Sequence, residues 1–197
     1  MTSAPRIGAL VLAAGASKRL GSPKQLMVHE GVPLVRRAAI AAVDAGANPV
    51  VVVLGANASI IEPALRGLAS VTIVVNADWA NGMASSLAAG LRALGDAVAY
   101  DAILVTLADQ PFVDAGALKR LIAAFDNEHR LVASAYNGVI GVPAVFAREH
   151  VAELMQLEGD SGAGQWLRRR SGEVTAIPLD AGAVDIDTPA DETRLLS

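Results

Sequence analysis

The chain of 197 residues contains no cysteine. This absence excludes disulfide bonds, thiolate metal sites and a cysteine nucleophile. Aromatic residues make up only 4% of the chain, so alanine, valine and leucine must fill the core, which favours helices packed on parallel strands over an aromatic-rich barrel. No apolar run reaches the roughly 20 residues that a membrane span needs, and the short apolar run near the amino end is typical of a strand rather than a signal peptide. We therefore expect a cytoplasmic protein without a membrane partner.

Positive charge is also scarce, because 16 lysines and arginines face 20 aspartates and glutamates and leave a net charge of -4. Binding along duplex nucleic acid needs a basic face, so we expect no nucleic-acid partner. Apolar residues make up 53% and charged residues 18% of the chain, which is typical of a globular protein. The length suits one domain with a substantial core, and we expect residues 1–197 to form it.

The order of apolar runs and helical patterns predicts the fold class. Apolar runs of strand length cover residues 7–14, 49–55, 71–75, 102–109 and 131–135. They are near-continuous rather than alternating, which is typical of parallel strands buried on both faces. Helical patterns separate them at 33–46, 57–68, 83–95 and 114–127, with Asn57 and Asp114 as expected N-caps. This alternation predicts an α/β fold with a single doubly wound, mostly parallel sheet.

The last third of the chain departs from this alternation. Residues 136–150 hold two short apolar pieces with turn signals, which predict a small antiparallel hairpin beside the sheet. Helical patterns around 151–157 and 164–170 follow, and then a last strand at 174–179.

A basic loop of small residues follows the first strand, in the stretch LVLAAGASKRLGSPKQLM from residue 10 to 27. Ligands of open α/β sheets bind at the carboxyl ends of strands, where this loop lies. Backbone N–H groups of small residues can surround an anion, and Arg19 and Lys24 add positive charge, so the loop predicts a polyphosphate site. The spacing of Gly15 and Gly21 fits neither a Walker loop nor the dinucleotide fingerprint. The alternative is an ordinary strand-to-helix turn with solvated cations.

Residues 12–24 resemble L-A-A-G-x-S-x-R-x-G-x-x-K, the signature of the MobA-like nucleotidyltransferases. Every fixed position is present: Leu12, Ala13, Ala14, Gly15, Ser17, Arg19, Gly21 and Lys24. The segments NADWANGMASSLAAGL, LADQP, EGDSGA and DIDTPAD resemble later family motifs in the same order. The chain is most similar to the molybdenum cofactor cytidylyltransferases. This resemblance implies a Rossmann-like nucleotidyltransferase fold and Mg²⁺-dependent transfer of CMP from CTP to a phosphorylated acceptor, with molybdopterin expected as acceptor and a molybdoenzyme as a candidate partner.

Three aspartates are candidate metal ligands. Asp109 directly follows a buried strand, and Mg²⁺ prefers carboxylate oxygens, substrate phosphates and water; the alternative role for Asp109 is that of a capping residue. Asp185 and Asp187 alternate, so only one would face the site if the segment is extended. The resemblance implies Asp187 as the second metal ligand beside Asp109, with Asp185 as the alternative.

The resemblance also implies roles for the other motif residues. Arg19, Lys24 and Asp109 would be catalytic. The nucleotide would contact a larger set, namely Leu12, Ala13, Ala14, Gly15, Ser17, Arg19, Lys24, Asn76, Gly82, Ser85 and Asp109, with Ser86 on the same side. For Ser85 and Ser86 the alternative is an ordinary helix surface.

The choice of base depends on Ala14. Cytidylyl-transferring members tend to have L-A-A-G and guanylyl-transferring members L-A-G-G, so the methyl group of Ala14 favours CTP over the larger purine nucleotide. One methyl group is worth only about 1–3 kcal/mol of discrimination, so a GTP-using guanylyltransferase stays an alternative.

Two positions depart from the family pattern. Val142 stands where members often carry a polar residue before the proline, and Gly164 stands where many carry the arginine of G-A-R. Both belong to the half expected to receive the acceptor, so another phosphorylated small molecule is an alternative acceptor, and a non-catalytic molybdenum cofactor-binding protein is an alternative function. A dinucleotide-dependent oxidoreductase is set aside because its glycine fingerprint is absent.

Other polar residues carry weaker signals. The arginines at 168–170 predict a solvated helix face, with an acceptor-phosphate role for one of them as the alternative. His29, His129 and His150 lack metal-ligand spacing and are expected to be structural or exposed.

Overall fold

The computed structural model describes residues 4–97, 100–186 and 191. In chain order, its strands are β1 (Ile7–Ala13), β2 (Val28–His29), β3 (Val32–Pro33), β4 (Val50–Leu54), β5 (Val71–Val75), β6 (Ala102–Leu107), β7 (Leu131–Tyr136), β8 (Val139–Ala147) and β9 (Thr175–Pro178). The α-helices that begin and end within these residues are α1 (Leu34–Asp44), α2 (Ala58–Ile61), α3 (Met83–Ala97), α4 (Ala115–Ala123), α5 (Val151–Leu154) and α6 (Ala163–Arg169).

Seven of these strands form one sheet in the order β5-β4-β1-β6-β8-β7-β9. Strands β5, β4, β1 and β6 run parallel, whereas β8 is antiparallel to both β6 and β7. Strands β2 and β3 form a separate antiparallel pair. The predicted fold class, a doubly wound and mostly parallel sheet with a small antiparallel hairpin, is confirmed.

Helices cover both faces of the sheet, because alternate side chains of each buried strand point to opposite faces. Ala9 and Val11 of β1 face the layer that contains α1 and α4. Leu10 and Leu12 face the layer that contains α3 and α6. Every residue of β1 is buried, which explains the continuous apolar run in the sequence.

The hairpin lies elsewhere than predicted. Its first arm is β7, its turn is Asn137–Gly138, and its second arm β8 is one long strand inside the sheet rather than two short pieces beside it. Asn137 and Gly138 both have positive φ, 51° and 72°. An Asn-Gly pair favours this tight turn because both residues tolerate positive φ, and it was the sequence signal for the turn.

Helix ends follow the predictions in part. Asp114 caps α4, since its Oδ1 accepts a hydrogen bond from the backbone N of Ala117 at 2.7 Å. Asn57 precedes α2 in a left-handed conformation without a side-chain cap. Helix α3 continues through Gly95 to Ala97, so its predicted end was wrong; an exposed glycine inside a helix costs only about 1 kcal/mol.

None of the described helices is both long enough and apolar enough to cross a bilayer. The cytoplasmic location stays a prediction.

Candidate active site

A cavity of about 460 Å³ opens where the parallel strands end. We call it the first cavity. It brings together nine of the predicted nucleotide-binding and catalytic residues: Leu12, Ala13, Ala14, Gly15, Ser17, Arg19, Lys24, Gly82 and Asp109. Ser86 lines it as well.

Ser17 shapes the basic loop that covers this cavity. Its φ of 52° is left-handed, and its carbonyl accepts a hydrogen bond from the backbone N of Leu20 at 3.0 Å, which closes a tight turn. Its side-chain Oγ accepts a hydrogen bond from the backbone N of Lys24 at 3.1 Å. Ser17 therefore fixes the position of the Lys24 backbone at the end of the loop.

Gln25 stabilises the same loop through its buried side-chain amide, a role that the sequence patterns did not reveal. Its Nε2 donates to the carbonyls of Ala13 at 3.0 Å and Gly15 at 2.8 Å. Gln25 is only 2% exposed, and these two hydrogen bonds satisfy both donors of its buried amide group. This holds the backbone of residues 13–15 in the shape that lines the cavity.

Lys24 and Asp109 meet at the centre of the first cavity. The pairing of β1 beside β6 brings them together across 85 residues, and Lys24 Nζ lies 2.5 Å from Asp109 Oδ2. Both side chains are mostly buried, at 15% and 18% exposure. Proximity of the two was predicted from the strand-end argument, and the structure places them in direct contact.

The other oxygen of Asp109 is available for a cation. Asp109 Oδ1 is buried and has no hydrogen-bond donor among the described residues. A carboxylate oxygen buried without a partner is costly, and such an oxygen is the donor type that hard divalent cations prefer. Asp109 thus fits the metal role implied by the family resemblance.

The second metal ligand is not fixed by these contacts. Asp187 lies outside the described residues. Asp185 is described and exposed, and the backbone N of Ile186 donates to the carbonyl of Asp109 at 3.1 Å, so this stretch of chain runs beside Asp109. Within the described ranges no three histidine or acidic side chains cluster closely enough to hold a metal.

Asn76 and Ser85 serve the turn that precedes α3. Asn76 Nδ2 donates to the Oγ atoms of Ser85 at 2.9 Å and Ser86 at 3.0 Å, and Asn76 Oδ1 accepts from the backbone N of Asp78. Neither Asn76 nor Ser85 is among the residues lining the first cavity. A nucleotide contact by these two residues stays a prediction.

Trp79 forms an apolar wall of the first cavity and was not predicted as a site residue. A Cβ placed on Gly55 would lie 2.6 Å from Cβ of Trp79 and 2.8 Å from Cβ of Ala14. Gly55 therefore lets Trp79 and Ala14 pack close together at the ends of β4 and β1. Ala14 is 8% exposed, and its methyl group belongs to this wall.

A second cavity of about 510 Å³ adjoins the first and shares Met83, Leu107 and Asp160 with it. Val142 and Gly164, the two departures from the family pattern, both line it. We call it the second cavity.

The wall between the cavities depends on a close backbone contact. A Cβ on Gly82 would collide with the carbonyl of Gly159, and the backbone N of Ala84 donates to that carbonyl at 3.1 Å. Gly82 also has a φ of 100°, so glycine is required there for two reasons. This contact holds Asp160 at the border of the two cavities.

Tyr136 lines the second cavity and was also missed. Its Oη donates to the carbonyl of Val142 at 3.3 Å. Burial raises the pKa of Tyr136, the negative charges of Asp185 and Asp109 raise it further, and Arg168 lowers it. The phenol therefore keeps its proton at neutral pH and remains a hydrogen-bond donor.

The histidines take structural or exposed positions, as predicted, and none of the three lines either cavity. His29 packs edge-on against Phe112, and His150 packs against Trp166. His129 Nδ1 lies 3.0 Å from Asp126 Oδ1.

Comparison with known proteins places the chain in a family. The model of the MobA-like NTP transferase domain matches residues 9–174. Nicotine blue oxidoreductase from Paenarthrobacter nicotinovorans is 36% identical over 209 residues, covering 99% of this chain and 98% of that protein.

Solved structures agree with this assignment. Rv0371c from Mycobacterium tuberculosis is 31% identical, with a TM-score of 0.77 and 98% of each chain covered. A structure of Rv0371c in complex with manganese gives 30% identity and a TM-score of 0.72, covering 97% of this chain and 98% of that one. A nucleotidyl transferase from Methanothermobacter is 25% identical, with a TM-score of 0.82 over 96% of this chain and 95% of that one. The chain therefore belongs to the MobA-like NTP transferase family, and with it to the nucleotidyltransferase class of enzymes.

Proposed function

We propose that the protein transfers CMP from CTP to a phosphorylated acceptor and releases pyrophosphate, with Mg²⁺ as the metal and molybdopterin as the first candidate acceptor. The observation that carries this proposal is the order of groups along the strand ends. The apolar wall of Trp79 and Ala14 lies around Gly55, where β4 and β1 end, Lys24 and Asp109 meet where β1 and β6 end, and the second cavity lies on the β8–β7 side. Base, phosphates and acceptor of such a reaction would occupy these three places in turn.

The charged centre suits the phosphates of a nucleoside triphosphate. Transfer requires an oxygen of the acceptor phosphate to attack the α-phosphorus while the bond from that phosphorus to the bridging oxygen breaks and pyrophosphate leaves. Negative charge then grows on the transferring and leaving groups. Lys24 and Arg19 can stabilise that charge, together with N–H groups of residues 13–17, because fixed donors in a partly buried site need no reorganisation.

Asp109 would hold the metal through its buried Oδ1, with Asp187 as the expected second ligand. When bound, Mg²⁺ supplies further neutralisation of phosphate charge. Lys24 would donate a hydrogen bond to a neighbouring phosphate, because its ammonium group lies beside the same carboxylate.

CTP is favoured over GTP by the wall around Ala14. Its methyl group and Trp79 fill the space that Gly55 leaves open, which narrows the apolar end of the first cavity. A GTP-using enzyme, or transfer to another phosphorylated small molecule, are the alternatives. A single domain, a cytoplasmic location and a molybdoenzyme partner belong to the same proposal.

The proposal is tested by incubating the protein with CTP, Mg²⁺ and molybdopterin and analysing the products by mass spectrometry. The expected result is a molybdopterin species heavier by one CMP unit, in amounts equal to the pyrophosphate formed. Unmodified molybdopterin after complete incubation would contradict the proposed acceptor.

A second candidate function is an oxidoreductase, favoured by the 36% identity to nicotine blue oxidoreductase over nearly the full length of both proteins. It is tested by following NADH and NADPH absorbance with nicotine blue as oxidant, in wild type and in Asp109→Asn. Cofactor oxidation that survives this substitution would favour the oxidoreductase, because hydride transfer does not require a metal-binding carboxylate at the phosphates.

A further inference from the structure

The three consecutive arginines of α6 and its end have three different surroundings. Arg170 pairs with Glu153 at 2.9 Å and with Glu173 at 3.1 Å, and its guanidinium lies 4.7 Å from the ring centre of Trp166. Arg169 is exposed and lines neither cavity. Arg168 lines the second cavity. Successive helical residues point about 100° apart, so adjacent arginines cannot share one environment.

Arg168 forms no hydrogen bond or ion pair with any residue in the part of the chain that the structure describes. It is also the one lysine or arginine among the described residues that line the second cavity. Arg168 is exposed where it lines this cavity and has no carboxylate partner among the described residues, so its donors are accessible to whatever enters. Its fork of N–H groups matches the oxygens of a phosphate.

Gly164 lies beside this guanidinium and adds no side chain to its surroundings. Gly164 lies one helical turn before Arg168, and a Cβ placed on it would be 3.5 Å from Nη1 of Arg168 and 3.9 Å from Cα of Gly141. These are ordinary contact distances, so a methyl group would fit at this position, whereas a longer side chain would extend toward the guanidinium of Arg168. The glycine that departs from the family pattern is thus matched by an arginine on the same helix face.

The polar side chains that line the second cavity suit an anionic ligand next to the nucleotide of the first cavity. Ser161 and Gln165 add further polar side chains, and Asp160 lies at the border with the first cavity. Without Arg168 the only described charge in this lining would be the carboxylate of Asp160, which repels phosphate. Arg168 therefore decides whether the second cavity accepts an anion.

We propose that Arg168 binds the phosphate monoester group of the acceptor in the second cavity, beside Gly164. This inference rests on the proposed function for the identity of its ligand. It names a residue and a chemical group that neither the family match nor the relatives assign.

The test compares Arg168→Ala with Arg169→Ala, a neighbouring arginine that lines neither cavity. With molybdopterin as acceptor, Arg168→Ala is expected to raise the acceptor KM about tenfold or more, since a charge-assisted contact is lost. The KM for CTP should change less than about twofold, and Arg169→Ala should change neither constant. A third variant combines Gly164→Arg with Arg168→Ala, and recovery of the acceptor KM there would identify a guanidinium in this space as the cause.

Binding measurements separate this inference from the proposed function. Molybdopterin and inorganic phosphate are titrated by calorimetry into wild type and both alanine variants without nucleotide. Binding that weakens only in Arg168→Ala supports the inference even if no pyrophosphate is ever released, in which case the proposed function fails alone. Equal binding in all three proteins, including no binding in any, overturns the inference, as does a loss of CTP affinity in Arg168→Ala with acceptor affinity intact.

Discussion

The two cavities differ in how firmly their polar groups are held. In the first, Ser17 and Gln25 fix the loop backbone, and Lys24 and Asp109 are in direct contact. In the second, Arg168 is exposed and forms no hydrogen bond or ion pair with a described residue.

This difference matches the demands of the two proposed ligands. A triphosphate must be held in one orientation for in-line attack, so its site benefits from donors that are already ordered. An acceptor site varies with the substrate, and the two departures from the family pattern fall there. We infer that the first cavity carries the chemistry common to the family and the second carries the choice of acceptor.

The largest expected effect is that of Asp109→Asn. It keeps the shape of the side chain but removes the charge that Lys24 and a metal would meet. We expect kcat/KM to fall by at least about 100-fold, the scale found when one electrostatic contact of a transition state is lost. The measurement is pyrophosphate release at varied Mg²⁺, with circular dichroism to check the fold.

Asp44→Asn is the matched control, because Asp44 is exposed at the end of α1, away from both cavities. Full activity of Asp109→Asn would show that Asp109 is not a site residue. It would also contradict the assignment of the chemistry to the first cavity and of acceptor choice to the second.

Lys24→Ala should weaken the binding of CTP in the first cavity and leave the binding of the acceptor in the second cavity unchanged. Loss of one charge-assisted contact, worth about 1.5–3 kcal/mol, predicts a CTP Kd higher by roughly 10- to 100-fold. Calorimetric titration with CTP measures this, and Lys119→Ala on α4 is the control. Unchanged CTP affinity would contradict the phosphate role of Lys24, and an equal loss of acceptor affinity would contradict the division between the cavities.

Trp79 provides an optical readout of the base end. The chain has two tryptophans, and Trp166 is buried in the α6 layer, so Trp166→Phe leaves Trp79 as the single reporter. We expect CTP to change its emission and pyrophosphate, which has no base, to leave it unchanged. In a separate variant, Trp79→Ala should weaken CTP binding by about 1–3 kcal/mol, the usual worth of one base stacked on an aromatic ring.

An equal emission change with pyrophosphate would place the phosphates, rather than the base, beside Trp79. That result would reverse the order of ligand groups along the strand ends.

The smallest expected effect is that of Ala14→Gly. Removing this methyl group widens the apolar end of the first cavity beside Trp79 and Gly55, so the activity with GTP should rise relative to that with CTP. One methyl group is worth about 1–3 kcal/mol at most, and much of this one is covered by its neighbours. The ratio of kcat/KM values for the two nucleotides measures the effect, and an unchanged ratio would remove Ala14 from base selection.

Local patterns predicted most of the fold, because buried parallel strands and capped helices are specified by nearby residues. The apolar run of β1 and the cap at Asp114 are examples. The hairpin was misplaced although Asn137–Gly138 marked its turn, since β7 had already been counted as an isolated strand.

Long-range contacts set the limit of prediction at the site. Lys24 and Asp109 could be brought together in advance because parallel strands end at one edge. Trp79, Tyr136 and Gln25 could not, because a sequence does not show which way an aromatic ring or an amide points after a turn. Their roles depend on Gly55, on Val142 and on the carbonyls of the basic loop.

Cytidylyl transfer to molybdopterin is best tested by measuring pyrophosphate release from each of the four nucleoside triphosphates, with Mg²⁺, in the presence and absence of molybdopterin. We expect release that requires both CTP and molybdopterin. Release that needs no acceptor, or that is equal for all four nucleotides, would contradict it. Binding of CTP without any release would leave the first cavity as described and would contradict molybdopterin as the acceptor.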